Sequence, residues 1–180
     1  MTIHVAMLRG INVAGKKIVR MEDLRASFEA LGFGRVRTYI QSGNVIFEAS
    51  KVASDNLSET IAKKISKDFG FSIPVVLRTS DELKKIIRDN PFLNEKHMDH
   101  SKFHVTFLSA LPARDAEEKI DALNAHPDQF GVSGREIYLY CPNGYGRSKV
   151  SNLALEKALS VGATTRNWNT LNTLARISSE

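Results

Sequence analysis

The order of strand-like and helix-like patterns in the first half of the chain is the feature that most constrains its fold. Apolar runs of strand length occupy residues 3–9, 36–40, 45–47 and 73–78. Two segments carry apolar side chains at helical spacing and end at a glycine, residues 21–31 and 54–69. The resulting order of strand, helix, strand, strand, helix and strand predicts a ferredoxin-like module over residues 1–79.

The second half repeats this order, with a difference at its end. Strands are predicted over residues 103–108, 130–132 and 137–141, and helices over residues 113–123, 151–159 and 166–177. The hairpin VSGREIYL in this half resembles IQSGNVIF in the first half. Because residues 166–177 have helical spacing, we expect the second module, residues 103–180, to end in helices in place of a fourth strand.

A connector is predicted between the two modules. Thr79 and Glu82 have the spacing of a capping box, which opens a helix that Asn90 and Pro91 end. Residues 80–102 are therefore predicted to form a connector helix and loop. The predicted fold class is α+β, with two ferredoxin-like modules of the βαββαβ type, the second ending in helices.

Composition and charge exclude several classes of protein. The chain is 42% hydrophobic and 25% charged, which is typical of a globular domain and not of a disordered or fibrous one. No apolar run approaches the roughly 18 residues of a membrane helix, so we expect a soluble, cytoplasmic protein with no membrane partner. The net charge of +5 indicates a mild attraction to anions. Cys141, the single cysteine, ends an apolar strand just before Pro142, which favours a place in the core over a role as nucleophile.

The segment LRGINVAGKK, residues 8–17, fits the G-x-x-x-x-G-K pattern of a phosphate-binding loop. In such a loop a helix begins at the lysine, and a Ser or Thr follows to bind magnesium. Here Lys17 takes the place of that hydroxyl residue, and the helix is predicted to begin about four residues later. The segment therefore favours a glycine-shaped loop in which Arg9 and Asn12 bind an anion or satisfy loop carbonyls.

Two further segments place polar and cationic side chains beside predicted helix starts. The segment GYGRSK, residues 144–149, precedes one helix, where amide groups, the helix dipole and two cations favour a phosphate or carboxylate. The alternative is a glycine turn in which Ser148 or Ser151 caps the helix. The segment TTRN, residues 164–167, leads into the last predicted helix, with Thr165 as its cap.

A cluster of possible metal ligands lies in the segment from His97 to His104, which holds three histidines and Asp99. The spacing of these side chains follows no regular element, so we interpret the segment as a solvated loop and predict no metal site and no cofactor. No Asp, Glu or His occurs in the glycine-rich and TTRN motifs, so an evident general base for catalysis is missing from them.

Three motifs, LRGINVAG, TYIQSGNVIF, and SK followed by TTRNW, together resemble a bacterial family known as domain of unknown function 1697. The resemblance spans the whole chain and implies a compact α+β fold of two ferredoxin-like parts, with no assigned reaction. The positions that match the motifs are Arg9, Gly10, Asn12, Gln41, Ser42, Gly43, Asn44, Ser148, Lys149, Thr165, Arg166, Asn167 and Trp168. Lys16 lies outside the family pattern, and Ala14 stands where a glycine is common in the family.

The expected strand directions separate two of these motifs. We expect the first and third strands of the first module to run parallel, which places the loop after Arg9 and the hairpin at Ser42 at opposite ends of the sheet, roughly 20 Å apart. The Arg9 loop is then expected to pair with residues 147–149 or with Arg166. Ser42 and Asn44 form either a second contact or a structural turn.

The leading functional hypothesis is a protein that binds a phosphate-bearing or other anionic ligand, a nucleotide or a nucleic acid, with no catalytic residue assigned. The candidate ligand-binding residues are Arg9, Asn12, Ser42, Asn44, Arg147, Ser148, Lys149, Thr165, Arg166 and Asn167. An enzyme acting on a small anionic metabolite is the alternative, with Lys149, Tyr145 or a distant histidine for proton transfer. A protein-interaction module is the third hypothesis, favoured if the motif residues are buried in mutual hydrogen bonds.

Overall fold

The structure, a computed structural model, describes residues 1–50 and 54–180. Over these residues the chain forms eight strands and six α-helices. The strands are β1 (Thr2–Leu8), β2 (Gly34–Tyr39), β3 (Asn44–Ala49), β4 (Val75–Thr79), β5 (Phe103–Leu108), β6 (Gln129–Ser133), β7 (Glu136–Tyr140) and β8 (Ala163–Asn167). The helices are α1 (Met21–Glu29), α2 (Ser54–Phe69), α3 (Ser80–Arg88), α4 (Ala116–Asp121), α5 (Asn152–Leu159) and α6 (Trp168–Ile177).

The chain divides into two compact units, one made of Met1–Lys84 with Leu174–Glu180 and the other of Lys85–Thr173. Each unit holds one four-stranded antiparallel sheet, with strand order β2-β3-β1-β4 in the first and β6-β7-β5-β8 in the second. The predicted α+β fold with two ferredoxin-like modules is confirmed. None of the described helices is long and apolar enough to cross a membrane.

The core of the first unit lies between its sheet and helices α1 and α2. Alternation along the strands turns Ala6, Leu8 and Phe47 to this face, and helical spacing turns Phe28 of α1 and Ile61 of α2 toward them. The rings of Phe28 and Phe47 meet edge-on, with centroids 5.3 Å apart. The apolar positions that predicted the elements are therefore the positions that pack the core.

The expectation that the second module ends in helices in place of a fourth strand is wrong, because this unit has a fourth strand. Strand β8 pairs with β5, with Thr165 opposite Thr106, and α6 follows directly. Strand β8 escaped prediction because Thr164 and Arg166 occupy its buried face in the place of apolar side chains. The second module is therefore a complete βαββαβ unit followed by one helix.

In each unit, the last strand pairs with the first strand and places a buried arginine opposite a valine. Arg78 on β4 lies opposite Val5 in the first sheet, and Arg166 on β8 lies opposite Val105 in the second. Both arginines are buried, and both strands lead directly into a helix. Helix α3 therefore follows β4 along the chain as α6 follows β8, which supports the predicted relation between the halves.

Capping side chains begin both of these helices. Thr79 and Glu82 form the predicted capping box: Thr79 N donates to Glu82 Oε2 at 2.7 Å, and Glu82 N donates to Thr79 Oγ1 at 3.2 Å. Helix α6 is capped by Asn167, whose Oδ1 accepts from the Thr170 amide at 2.8 Å. The prediction that Thr165 caps this helix is wrong, because Thr165 lies within β8.

Candidate functional site

The strand directions bring the two motifs of the first unit to the same end of its sheet. Strand β3 runs antiparallel to β1, with Met7 opposite Asn44, and Leu8 N donates to the Gly43 carbonyl at 2.9 Å. The expectation that β1 and β3 run parallel, with the two motifs at opposite ends, is therefore wrong. Strand β2 lies at the sheet edge and pairs with β3. The strand next to β1 on this side is therefore β3, which runs in the opposite direction to β1.

The side chain of Asn12 joins the two motifs. Its Nδ2 donates to the carbonyl oxygens of Val19 at 3.0 Å and Gln41 at 2.9 Å, and its Oδ1 accepts from Val19 N at 2.8 Å. Its φ of 54° lies in the left-handed region, which asparagine tolerates better than most side chains. Because both amide donors are used within the protein, Asn12 shapes the loop and does not offer those donors to a ligand.

The QSGN turn packs tightly against the loop that follows β1. Asn44 is fully buried, and its Nδ2 donates to Tyr39 O at 3.2 Å and to Ser42 Oγ at 2.9 Å. Gly43 has a φ of 83°, and a Cβ there would lie 2.8 Å from Ile11 Cδ1. Glycine is required at this position for both conformation and space. These side-chain contacts of Ser42 and Asn44 serve the turn.

The tip of the loop after β1 is a tight turn away from any helix start. Lys16 N donates to Val13 O at 2.9 Å, and Ala14 and Gly15 between them have φ values of 50° and 71°. Helix α1 begins only at Met21. The amide groups near Lys16 are therefore not those of a helix N-terminus, so the segment lacks the helix start that a phosphate-binding loop of the G-x-x-x-x-G-K type requires.

In the second unit, the loop before α5 carries two exposed cations, Arg147 and Lys149. Between them, Ser148 Oγ accepts from Val150 N at 3.0 Å. Ser151 caps α5, since its Oγ accepts from an amide of the first turn at 3.2 Å. The backbone is therefore the glycine turn with a serine cap that the sequence offered as one alternative, and the two cations remain at the surface.

A network of hydroxyl groups fixes this loop to the second sheet. Thr165 Oγ1 lies 2.7 Å from Thr106 Oγ1, accepts from the Tyr145 hydroxyl at 3.1 Å and donates to Asn152 Oδ1 at 2.7 Å. Because the single hydroxyl proton of Thr165 goes to Asn152, the Thr106 hydroxyl is the donor to Thr165. Thr165 thus ties β5 and β8 to the short 3₁₀ turn Tyr145–Arg147 and to α5.

Sequence reasoning missed the partners that surround Thr165. Thr106 lies 59 positions away and becomes a neighbour only through the pairing of β5 with β8. Asn152 is a polar residue at the start of α5 with no pattern that marks it. The one available signal was Tyr145, an aromatic residue between two glycines on the same loop as the cations.

His104 lies against Tyr145, with ring centroids 4.9 Å apart and ring planes at 23°. Burial lowers the pKa of His104, although the contact of its Nδ1 with the Lys102 carbonyl at 3.4 Å acts in the opposite direction. The imidazole is therefore neutral at neutral pH. The second unit thus has a partly buried, stacked pair of rings next to a loop that carries cations, and Tyr145 also packs against the core of this unit.

Arg166 lies on the opposite face of the second sheet from Thr165 and Asn167, because neighbours along a strand alternate. It is buried, and its Nη1 donates to Thr164 Oγ1 at 3.0 Å and to the Thr165 carbonyl at 3.0 Å. Burial lowers the pKa of Arg166 to about 10, so it stays a cation at neutral pH. The three motif residues therefore do not converge on one ligand.

No group of three or more His, Cys, Asp or Glu side chains in the described part of the chain is placed to hold a metal ion. In the segment predicted as a solvated loop, Asp99 accepts from Ser101 N at 2.9 Å, and the ring of His100 stacks on Phe103 with centroids 4.8 Å apart. These contacts order the segment as the 3₁₀ turn His100–Lys102 before β5.

Comparison with known proteins places the chain in a family. The family model described as "Protein of unknown function (DUF1697)" matches residues 1–138. Among solved structures, the conserved bacterial protein SP0830 from Streptococcus pneumoniae is 20% identical, with a TM-score of 0.75 over 100% of this chain and 99% of that chain, which shows a shared fold. No curated protein matches the chain. Since the family model covers most of the sequence, the chain belongs to the DUF1697 family.

Proposed function

We propose that the protein binds a phosphate-bearing ligand, a nucleotide or a nucleic acid strand, in the cytoplasm and without a reaction of its own. The supporting observation is that the exposed cations Arg147 and Lys149 share a short loop with Tyr145, whose ring stacks on His104. Cations that contact phosphates, together with aromatic rings beside bases, are the usual parts of such a binding surface.

The charge around this loop favours an anion. Residues 137–155 contain Arg147 and Lys149 and no Asp or Glu. The Lys102 carbonyl accepts from Cys141 N at 3.0 Å, which brings a third cationic residue to the segment that leads into the loop. Attraction between exposed cations and phosphates is long-ranged and screened by salt, so binding should weaken as salt is raised.

The loop is held in place without a ligand. The Thr165 network ties Tyr145 to Thr106 and Asn152 through hydrogen bonds of 2.7–3.1 Å. A binding surface that is already ordered loses less conformational entropy when the ligand arrives. In this proposal Thr165 and the caps build the surface, and Arg147 and Lys149 contact the phosphates.

The first unit has a smaller part in this proposal. Asn12, Ser42 and Asn44 use side-chain atoms within the loop and turn that they shape. Arg9, half-buried at the start of that loop, is proposed as a separate phosphate contact within the first unit. Its contribution is tested separately, with Arg9→Ala.

The experiment is a fluorescence-anisotropy titration of the full chain with labelled single-stranded DNA, single-stranded RNA, duplex DNA and ATP, at low and raised salt. We expect binding that weakens with salt, and each of Arg147→Ala and Lys149→Ala should weaken it and lower the salt slope by about 1. Lys96→Ala is the matched control, since Lys96 is an exposed lysine of the same unit outside the loop. Salt-insensitive binding, an equal loss in the control, or no binding to any of these probes would overturn the proposal.

An enzyme that acts on a small anionic metabolite is the second candidate. The observation that favours it is the neutral imidazole of His104 against Tyr145, since a neutral histidine is a general base at neutral pH. A thermal-shift screen of anionic metabolites separates the candidates. Stabilisation by a metabolite that is then turned over, with turnover lost in His104→Gln while stabilisation persists, would support the enzyme.

A further inference from the structure

We infer that the loop after β1, together with Ile40 of the turn after β2, is a docking surface for an acidic protein segment that also carries apolar side chains. The surface, called the finger surface below, consists of Val13, Lys16, Lys17, Ile18 and Ile40. It lies in the other unit from the proposed phosphate site at Arg147 and Lys149, it does not include Arg9, and it takes a partner of a different class. It therefore goes beyond the proposed function and does not rest on it.

The finger surface gathers exposed apolar side chains. Val13, Ile18 and Ile40 are 60%, 68% and 47% exposed, and they are three of the six large hydrophobic side chains exposed in the described part of the chain. Single exposed apolar residues need no explanation, but such residues gathered on one loop and its neighbour indicate a binding surface.

Hydrogen bonds bring the parts of the finger surface together. Lys16 N donates to Val13 O at 2.9 Å, and Asn12 N donates to Lys17 O at 3.1 Å, so residues 12–17 form a small hairpin. The side-chain Nδ2 of Asn12 donates to Gln41 O at 2.9 Å, which brings the turn that carries Ile40 beside the base of that hairpin.

Three residues in or beside the finger surface have backbone conformations that their side chains do not favour. Ala14, Lys17 and Ile40 have φ values of 50°, 49° and 50°. A β-branched residue such as isoleucine is rare in this left-handed region. Strain of this kind persists where surrounding contacts impose one shape, and it concentrates at functional surfaces. The hairpin hydrogen bonds from Lys16 N to Val13 O and from Asn12 N to Lys17 O hold this shape without a partner, which lowers the entropic cost of docking.

The charge of the finger surface selects an acidic partner. Residues 1–21 contain four Lys or Arg and no Asp or Glu. Of these, Arg20 pairs with Glu22 and Arg9 precedes the hairpin, so Lys16 and Lys17 are the cations of the finger surface. Lys17 Nζ lies 3.3 Å from Ser72 O and has further N–H groups for a carboxylate. Carboxylates of a partner would complement these lysines, and its apolar side chains would cover the exposed aliphatic ones.

A protein fits this surface better than a nucleic acid does. The exposed side chains beside the lysines are the aliphatic chains of Val13, Ile18 and Ile40. The nearby ring of Phe71, whose centroid lies 6.0 Å from Lys17 Nζ, is partly buried and packs against the core of the first unit. Nucleic acid strands are held by aromatic stacking together with cations, a combination that the loop at Tyr145 offers instead. Aliphatic side chains are covered well by Leu, Ile or Phe of a protein segment.

The experiment selects peptides from a random peptide phage library on the immobilised full chain and measures synthetic copies by fluorescence anisotropy. We expect selected peptides that combine Asp or Glu with Leu, Ile or Phe. The double variants Lys16→Glu with Lys17→Glu, and Val13→Ser with Ile18→Ser, should each weaken their binding by about tenfold or more. The matched controls are Lys96→Glu and Leu111→Ser, which change an exposed lysine and a 70% exposed leucine elsewhere and should leave affinity unchanged.

A further variant separates loss of contact from loss of structure. Ile40→Asn removes the apolar side chain and places a residue that tolerates the observed φ of 50°, so the melting temperature should not fall while peptide affinity does. Failure to enrich any peptide, enrichment of basic or neutral peptides, or equal losses in the finger and control variants would overturn the inference.

The peptide-binding experiments can fail or succeed independently of the oligonucleotide-binding experiments on the phosphate site. Arg147→Ala should weaken oligonucleotide binding and leave peptide binding unchanged. If acidic peptides fail to bind and the Lys16→Glu with Lys17→Glu variant instead loses oligonucleotide affinity, the finger surface belongs to a nucleic acid site and the inference is wrong. If oligonucleotides fail to bind while the peptide results hold, only the proposed function falls.

Discussion

The side-chain amide of Asn12 donates a 2.9 Å hydrogen bond to the carbonyl oxygen of Gln41, across 29 positions of sequence. This contact joins the LRGIN loop to the QSGN turn, so two motifs that are separate in the sequence form one folded corner of the first unit. The motif residues there are explained first by the backbone they hold, and the exposed residues around them remain for a partner.

Replacing Asn12 should measure how much its side-chain hydrogen bonds contribute to the free energy of unfolding. Asn12→Gly accepts the φ of 54° and loses the side-chain bonds to Val19 and Gln41, so we expect unfolding free energy to fall by about 2–3 kcal/mol. Asn12→Ala should lose about 1 kcal/mol more, because alanine disfavours the left-handed region. Urea unfolding measures both values. A loss below about 0.5 kcal/mol in Asn12→Gly would show that the amide does not hold the loop.

Gly43 allows the cost of a steric clash to be separated from the cost of a strained backbone conformation. In Gly43→Ala the new Cβ would lie 2.8 Å from both Ile11 Cδ1 and Leu8 Cβ, so we expect a loss of about 2–4 kcal/mol from overpacking and backbone strain. Gly10→Ala is the matched control, since its φ of 75° is similar and nothing lies within 4 Å of the added atom. It should lose only about 1–2 kcal/mol. Equal losses in thermal unfolding would contradict the close packing at Gly43.

The hydroxyl of Thr165 should stabilise the second unit through its three partners. Thr165→Val keeps the shape and leaves Tyr145, Thr106 and Asn152 without this partner, so we expect a loss of about 2–3 kcal/mol. Thr165→Ser retains the hydroxyl and should lose about 1 kcal/mol or less. Calorimetric melting of the two variants decides, and a larger loss in Thr165→Ser than in Thr165→Val would assign the effect to packing of the methyl group.

Stability should fall as the solution is made acidic, because of His4. This residue is buried, neither ring nitrogen has a hydrogen-bond partner among the described residues, and burial lowers its pKa from the ordinary 6.5 despite the opposing charge of Glu82. Above about pH 6.5 both folded and unfolded chains hold a neutral imidazole. Below that pH the unfolded chain takes the proton first, so unfolding free energy falls as pH drops toward the folded pKa.

The variant His4→Phe should remove part of this pH dependence, since a ring that stacks on Phe47 is retained and the titrating group is lost. The control is His97→Asn, which changes an exposed histidine. Urea unfolding from pH 5 to pH 8 is the measurement. An unchanged slope in His4→Phe would show that the acid sensitivity arises elsewhere, with His104 as the next residue to change because burial lowers its pKa too.

Cys141 should be inert toward alkylation in the folded chain. The thiol is fully buried, and burial raises its pKa to about 11, with a smaller contribution from the charge of Asp128. Because the thiolate is the reactive form, iodoacetamide should modify the folded protein very slowly and the denatured protein rapidly. Asn94→Cys provides an exposed thiol as the control. Rapid modification of the native chain, followed by mass spectrometry, would contradict this expectation.

The sequence by itself determined the elements that local patterns encode. Apolar periodicity located β1, β3, α1 and α2 because the same side chains that repeat along the chain are those that the core buries. The capping box of Thr79 and Glu82 was predicted because both partners lie within one turn. The burial of Cys141 followed from its place at the end of a predicted apolar strand.

Strand β8 and the cap of α6 show where local patterns fail. Strand β8 buries Thr164 and Arg166, so no alternation of apolar side chains marks it, and the helical pattern that follows was extended into it. The cap therefore moved from Thr165 to Asn167. A strand that is buried through polar side chains is stabilised by pairing with its neighbour, and that neighbour, β5, is far away in the sequence.

Only the tertiary structure decided which distant residues meet. The antiparallel pairing of β1 with β3 brought the LRGIN and QSGN motifs together, and the pairing of β5 with β8 placed Thr106 against Thr165. The physical reason is that a motif reveals the residue types available at one point of the chain, whereas a site requires atoms within hydrogen-bond distance. That distance is set by strand direction and register, which long-range pairing fixes and no local pattern contains.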